Sequence, residues 1–87
     1  MMESEFFTPH ARILIVLYRA PGLTVHETFD RANISIFQFY KAKKELLKDG
    51  LIKEVSEGKY KRLYLTEKGE KIVSGLLCLA KAIDSVK

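Results

Sequence analysis

The nineteen-residue stretch ISIFQFYKAKKELLKDGLI, from Ile34 to Ile52, decides the fold. It starts with bulky apolar and aromatic residues, continues as a lysine-rich segment and stops at Asp49-Gly50. Ser35 is a suitable N-cap because its hydroxyl can accept a backbone N–H of the first turn. Gly50 can end the helix because glycine adopts the left-handed conformation without steric cost. These signals predict a helix over residues 36–49.

Helical spacing divides this segment into two unlike faces. The inward stripe is apolar and contains Ile34, Phe39, Ala42, Leu46 and Leu47. The outward face near the N-terminal end mixes apolar, aromatic and basic side chains, namely Ile36, Phe37, Gln38, Tyr40, Lys41 and Lys44. A core helix does not need these lysines and a solvated helix does not need these aromatics. We therefore expect the outward face to bind a partner.

Two further helices are predicted before this segment. Thr8-Pro9 combines an N-cap with proline at the first helical position, and the helix that follows should run to about Ala20. Pro21-Gly22 interrupts it. Its apolar residues cover almost all sides, which is typical of a central helix. Thr24 can cap a second helix over residues 25–32, and a tight turn then leads into the third helix.

A hairpin and a last helix are predicted after it. Two short extended runs, Leu51 to Ser56 and Lys61 to Leu65, flank a hairpin loop at residues 57–60. Thr66 can cap a final helix that continues to about Ser85. The order is therefore helix, helix, turn, helix, hairpin, helix, which describes a mainly α chain with one small β-hairpin.

A helix-turn-helix followed at once by a basic hairpin is a device for binding DNA. The second helix of such a pair fits the major groove, where the base edges carry a sequence code, and the hairpin reaches the backbone or the minor groove. We expect one domain over residues 1–87. Its parts are an N-terminal arm (1–8) held by Phe6 and Phe7, a helix-turn-helix with wing (9–66) and a C-terminal helix (67–87).

The stretches ISIFQFYKAKKELLKDGLI and KRLYLTEKGEK also carry a family resemblance. The chain resembles winged-helix regulators of the MarR/PadR type, and is most similar to small winged-helix proteins of archaea and their viruses. The first stretch matches the turn, recognition helix and Gly-Leu-Ile exit, and the second matches the return strand of the wing and the start of the next helix. The resemblance covers about residues 9–72 and implies a sequence-specific, usually dimeric, transcription regulator.

Candidate DNA contacts follow from the outward faces of the third helix and the wing. Gln38 can donate to and accept from adenine, and Phe37 can contact a thymine methyl group or instead pack against the second helix or the arm. Tyr40 can contact the groove or form a structural hydrogen bond. Phosphates are the other expected partners. The predicted DNA-binding residues are Ser35, Phe37, Gln38, Tyr40, Lys41 and Lys44 on the helix and Lys59, Tyr60, Lys61 and Arg62 on the wing (57–62), unless that wing is an ordinary charged hairpin.

The charge of the chain is concentrated in this region. The 87 residues carry a net charge of +4, with 15 Lys and Arg against 11 Asp and Glu. Residues 38–62 contain eight of the former and four of the latter, and the remainder of the chain is balanced. Such an excess favours a polyanionic partner over the alternative of a merely solvated basic face.

The composition also argues against other classes of protein. No apolar run is long enough to cross a membrane, and Met1 to Glu5 contain no basic segment of a secretory signal, so we expect a cytoplasmic protein without membrane contact. A single cysteine excludes an intramolecular disulfide and a cysteine-based zinc site. His10 and His26 lie in different predicted elements, and neither has an evident set of metal-ligating neighbours. We expect no enzyme, cofactor or metal.

The last helix has the pattern of an interface. Ile72, Leu76, Leu79, Ile83 and Val86 repeat as in a coiled coil, and small residues on the opposite side let another helix approach closely. One face should serve the core and the other a second copy of the chain. The predicted dimer contacts are Ile13, Leu17, Gly75, Cys78, Leu79, Ala82 and Ser85. Cys78 either forms an intersubunit disulfide or stays reduced as a small apolar residue.

The sequence thus predicts a homodimeric regulator that binds double-stranded DNA. The alternative is a winged-helix module that binds proteins and never touches DNA. The position of the basic charge distinguishes the two, because a protein-binding module need not place it on the third helix and the wing.

Overall fold

Four helices and one hairpin make up the chain. The computed structural model describes the backbone of residues 8–86 and the side chains of residues 8–79. The elements are α1 (Pro9–Arg19), α2 (Val25–Ala32), α3 (Ile36–Lys48), β1 (Ile52–Glu57), β2 (Tyr60–Leu65) and α4 (Glu67–Val86). They confirm the predicted winged helix-turn-helix with its long C-terminal helix. The predicted arm with Phe6 and Phe7 lies outside the described residues.

Helix α1 is the centre of the fold, as its all-round apolar pattern predicts. Thr8 caps it by accepting the backbone N–H of Ala11 at 3.3 Å. The helix packs against α2, α3, α4 and β2. Ile13 and Leu17 are completely buried inside the protomer. Both were predicted as dimer contacts, and that prediction is wrong because neither side chain has surface left for a second copy.

A tight turn sets α3 across α2. Asn33 ends α2 in the left-handed conformation, with a φ of 55°, which asparagine tolerates better than most residues. The Asn33 carbonyl accepts a hydrogen bond from Arg12 Nη1 at 3.1 Å, which ties the turn to α1. Phe39 on α3 is completely buried and meets Phe29 on α2 edge-to-face, with ring centroids 5.4 Å apart. The turn and the aromatic pair together orient α3.

The wing is a two-stranded antiparallel hairpin whose register runs from Ile52 opposite Leu65 to Glu57 opposite Tyr60. Its loop is only Gly58-Lys59, two residues shorter than the predicted loop at 57–60, because Glu57 and Tyr60 pair within the strands. Gly58 has a φ of 62°, as a tight two-residue turn requires.

The α1–α2 connection pairs along the outer edge of the wing. The N–H of Leu63 donates to the Leu23 carbonyl at 2.9 Å, and the N–H of Gly22 donates to the Leu63 carbonyl at 3.1 Å. Leu63 itself is completely buried. The root of the hairpin is therefore fixed to the helical core on the side of α2.

Helix α4 begins in close contact with the α3–β1 connection. Thr66 caps it, as predicted, by accepting the N–H of Gly69 at 3.2 Å, and its hydroxyl donates to the Gly50 carbonyl at 2.6 Å. Gly69 lies so near the Leu51 carbonyl that a Cβ there would be 2.1 Å from the oxygen. From the sequence this glycine looks like a local weakness of the helix, but in the structure it permits the close approach.

Candidate nucleic-acid interface

The outward face of α3 lies directly opposite its buried side. Phe39, Ala42 and Leu46 are buried, and the positions that share the opposite face are all exposed. Phe37 is 76% exposed and Tyr40 is 51% exposed. The exposed face consists of Phe37, Tyr40, Lys41 and Lys44, which we call the α3 face. These residues are brought together as predicted.

Among residues 8–79, Phe37 packs against no other element closely enough to lose its exposure. The predicted packing of Phe37 against α2 is therefore wrong, and the arm lies outside the described residues. Lys41 and Lys44 form no ion pair with any described side chain. The two ammonium groups are available for a partner.

The side chain of Gln38 caps the start of α3, whereas the sequence predicts that it contacts a base. Its side-chain oxygen accepts the backbone N–H of Ser35 at 3.3 Å, and its own N–H donates to the Ser35 hydroxyl at 3.2 Å. This reciprocal capping box satisfies two backbone donors at the start of α3. The amide oxygen of Gln38 and the hydroxyl of Ser35 are therefore already engaged in capping α3.

Glu54 joins α3 to the second strand of the wing, a role that sequence reasoning missed. One carboxylate oxygen lies 2.9 Å from Lys43 Nζ on α3, and the other lies 4.0 Å from Lys61 Nζ on β2. Lys43 is the more buried of the two lysines and lies over the Tyr40 ring, 5.7 Å from its centroid. The Lys43–Glu54–Lys61 bridge thus fixes the position of Tyr40 relative to the wing.

The tip of the wing and the middle of β2 differ in how far their side chains are engaged in contacts within the protein. At the tip, Lys59 lies over the ring of Tyr60 at 5.6 Å, and that ring is 54% exposed. In the middle of β2, Arg62 donates through Nη1 to the Gly22 carbonyl at 2.8 Å and through Nε to Glu57 at 3.3 Å. Lys59, Tyr60 and Lys61 remain candidates for DNA contact, whereas Arg62 ties the wing to the α1–α2 connection.

An open cleft of about 790 Å³ lies between the first turn of α2, the middle of α3 and the wing. Glu27 stands at its α2 side and forms a capping box with Thr24. The hydrogen bonds from the Thr24 backbone N–H and hydroxyl hold the pKa of Glu27 below its usual value, and the nearby Arg62 charge acts in the same direction. Glu27 therefore remains ionised as part of the helix cap.

The two histidines pair with carboxylates. His10 contacts Glu45, which links α1 to α3, and His26 lies 3.4 Å from Asp30 within α2. Within the described part of the chain, no three His, Cys, Asp or Glu side chains are grouped so as to hold a metal ion. Nor is any helix there both long and apolar enough to cross a membrane.

Helix α4 turns only part of its apolar surface towards the core. The core contact is made by Val73, which is completely buried, together with Leu77. Ile72 and Leu79, which belong to the predicted coiled-coil stripe, are 40% and 54% exposed. The exposed apolar stripe therefore belongs to the a/d positions. Gly75 faces open space, Cys78 is an exposed free thiol, and the side chains of Ala82 and Ser85 lie outside the described residues.

Comparison with known proteins identifies relatives of this chain. Residues 12–69 match the protein family described as "F-93, winged-helix domain". Protein F-93 of Sulfolobus spindle-shape virus 1 is 37% identical over 91 residues, a match that spans 100% of this chain and 95% of that protein. The crystal structure of F-93 superposes with a TM-score of 0.81, covering 94% of this chain and 96% of F-93.

More distant solved structures share the fold. The transcriptional regulator PcaV of Streptomyces coelicolor is 22% identical with a TM-score of 0.80, covering 94% of this chain and 62% of PcaV. A MarR-family transcriptional regulator of Silicibacter pomeroyi is 24% identical with a TM-score of 0.80, covering 91% of this chain and 55% of that regulator. At these identities the likeness shows the winged-helix architecture.

Proposed function

Because this chain belongs to the F-93 winged-helix family, a family of DNA-binding regulator type and not of enzymes, we propose that it is a sequence-specific regulator that binds double-stranded DNA as a homodimer. The observation that carries the proposal is the α3 face. One side of α3 lies in the core, and the other carries exposed aromatics beside two lysines that form no ion pair with a described side chain. A helix of this kind has the form of a recognition helix. A DNA partner implies an intracellular, cytoplasmic site of action.

The arrangement of charge assigns roles to the two parts of the interface. Lys41 and Lys44 are free to bind phosphates at the edges of the major groove while the first turn of α3 reaches the base edges. Lys59 and Lys61 on the wing can hold the adjacent backbone or enter the minor groove. Glu54 keeps these two parts in register, so both should meet one duplex together.

A homodimer is proposed through α4. Exposed Ile72 and Leu79 repeat at coiled-coil spacing, and Gly75 lies one turn from each with open space above it, so a second helix can approach. A protomer of this size has a marginal core, which burial of this stripe would supplement. Ala82 and Ser85 extend the proposed interface along the helix.

An intersubunit disulfide through Cys78 stays part of the proposal, and it has a direct test. Non-reducing electrophoresis of protein whose thiols were blocked at lysis should show a dimer band that disappears in Cys78→Ser. A monomer band alone removes the bridge and leaves the non-covalent dimer, which sedimentation measures separately.

The test of the proposed function is selection of bound sequences from random duplex DNA. We expect an inverted repeat whose half-sites are about one helical turn apart, because a two-fold dimer presents two recognition helices to one side of the duplex. Lys44→Glu on the α3 face should abolish the enrichment. Lys71→Glu, an equal change of charge at an exposed position of α4, is the matched control and should preserve it.

Failure of wild-type protein to enrich any duplex would contradict the proposal. It would favour the alternative module that binds proteins, for which the exposed apolar side chains of α3 would be the contact surface. Enrichment that is equally strong with Lys44→Glu would show that DNA binds elsewhere on the molecule.

A further inference from the structure

We infer that the first turn of α3 recognises thymine methyl groups in the major groove, with Phe37 as the specificity-determining residue. The inference rests on the proposed function, because it names the feature of DNA that the α3 face selects. It concerns apolar contact with a base, whereas the lysines of the same face serve the phosphates.

The exposure of Phe37 is the first observation. Its side chain is 76% exposed, and the preceding Ile36 is 60% exposed. A single exposed apolar residue is ordinary on a protein surface. Here two large apolar residues are adjacent on one turn, and the exposed ring of Tyr40 follows one turn later. A patch of this kind in the described surface indicates a contact site.

The position of Phe37 is the second observation. It lies at nearly the same angle around α3 as Lys44, seven residues later, and close to that of Lys41. The lysines lie on the face opposite buried Phe39 and form no ion pair with described residues. A surface with ammonium groups behind an apolar tip complements a groove whose rims are phosphates and whose floor is bases. This complementarity is why the proposed occupant is DNA.

The capping box is the third observation. Gln38 Oε1 and Ser35 Oγ both accept backbone N–H groups at the start of α3. Turning either side chain away to read a base would uncap the helix. Apart from the Gln38 amide nitrogen and the Ser35 hydroxyl hydrogen, the surface that this turn leaves free is apolar and belongs to Ile36 and Phe37. Among base edges in the major groove, the thymine C5-methyl group is the apolar feature of the recognition code.

The experiment pairs a change in the protein with a change in the DNA. A duplex selected by the wild-type protein is prepared again with deoxyuridine in place of each thymidine of one half-site, which removes only methyl groups. Affinity should fall about four-fold for each contacted methyl, the factor for burial of one methyl-sized group. Replacing the equivalent thymidine in both half-sites should reduce affinity about fifteen-fold by the same estimate.

Variants of the protein identify the contact. With Phe37→Ala, thymine and uracil duplexes should bind with nearly equal affinity, and with Phe37→Leu part of the discrimination should return. Tyr60→Ala is the control, because it removes an exposed ring from the wing and should weaken both duplexes alike. Thermal unfolding of each variant verifies the fold, which substitution of an exposed side chain should leave intact.

The possible results separate the inference from the proposed function. Selected half-sites without thymine, or a uracil penalty that is the same for wild type and Phe37→Ala, would overturn the inference while DNA binding stands. The ring would then be covered by another segment or by a protein partner. Absence of binding to every duplex would overturn the proposed function and this inference with it.

Discussion

Replacement of Gly69 by alanine should destabilise the fold, although alanine is the better helix former. The new Cβ would lie 2.1 Å from the Leu51 carbonyl oxygen and 3.2 Å from Leu65 Cδ2. The oxygen belongs to the backbone and also accepts the N–H of Thr66 at 3.0 Å, so it cannot move aside as the end of a flexible side chain can. Relief of the contact requires α4 to shift away from the α3–β1 connection.

The magnitude follows from two opposing terms. Overpacking of this kind typically costs about 1–3 kcal/mol, and a backbone obstacle places Gly69 at the upper end. Alanine in a helix regains at most about 1 kcal/mol relative to glycine. The net loss is about 1–2 kcal/mol, which corresponds to a fall in Tm of roughly 4–16 °C for a domain of this size.

Gly75→Ala is the matched control in the same helix. A Cβ at Gly75 meets no atom of the described residues within 4 Å, so only the gain in helix propensity remains and Tm should rise by a few degrees. Thermal unfolding should be followed at two protein concentrations, because a partner helix packed on Gly75 would oppose the gain. A Tm for Gly69→Ala equal to or above that of Gly75→Ala would refute the reasoning about the close approach.

Three further predictions concern charged groups. Glu54→Gln should release Lys61, the more exposed of its two lysine partners. Binding to random-sequence duplexes should then strengthen, and the salt dependence should steepen by about one unit per protomer. An unchanged slope in anisotropy titrations would exclude this role. Arg62→Ala should lower Tm by about 4–8 °C, because the hydrogen bond to the Gly22 carbonyl is lost, whereas Lys59→Ala should weaken only DNA binding. Equal Tm values for the two variants would show that the bond from Arg62 to Gly22 does not stabilise the fold. Since the pKa of Glu27 is lowered on folding, its contribution to stability is present above pH 4.5 and is lost as pH falls through the lower folded-state pKa. Glu27→Gln should therefore make urea unfolding less sensitive to acid, and an unaltered pH profile would show that the cap does not depend on the charge.

The features that the sequence predicts well are those with local causes. Ser35 and Gly50 delimit α3 through cap chemistry between residues a few positions apart, and the pattern of apolar residues determines which face is buried. The exposed α3 face follows from the same periodicity. The winged-helix order of elements is therefore readable from the chain alone.

The features that it does not predict depend on distant parts of the chain meeting. Glu54 joins Lys43 to Lys61 only because the hairpin register turns the Glu54 side chain towards α3. From the sequence Arg62 is expected to be one more DNA-binding cation of the wing, and only the fold brings the Gly22 carbonyl to its guanidinium group. The same holds for Ile13 and Leu17, whose burial in the protomer depends on four other elements packing around α1.

Binding to a selected duplex over a range of salt concentrations tests the central claim most directly. If a homodimer neutralises roughly 6–10 phosphates through the α3 face and the wing, affinity should fall about 10³–10⁵-fold between about 50 and 200 mM salt. Lys41→Ala should reduce the slope by about one unit for each protomer. A salt response that is flat, or a slope that is the same with and without Lys41, would contradict the assignment of this surface to DNA.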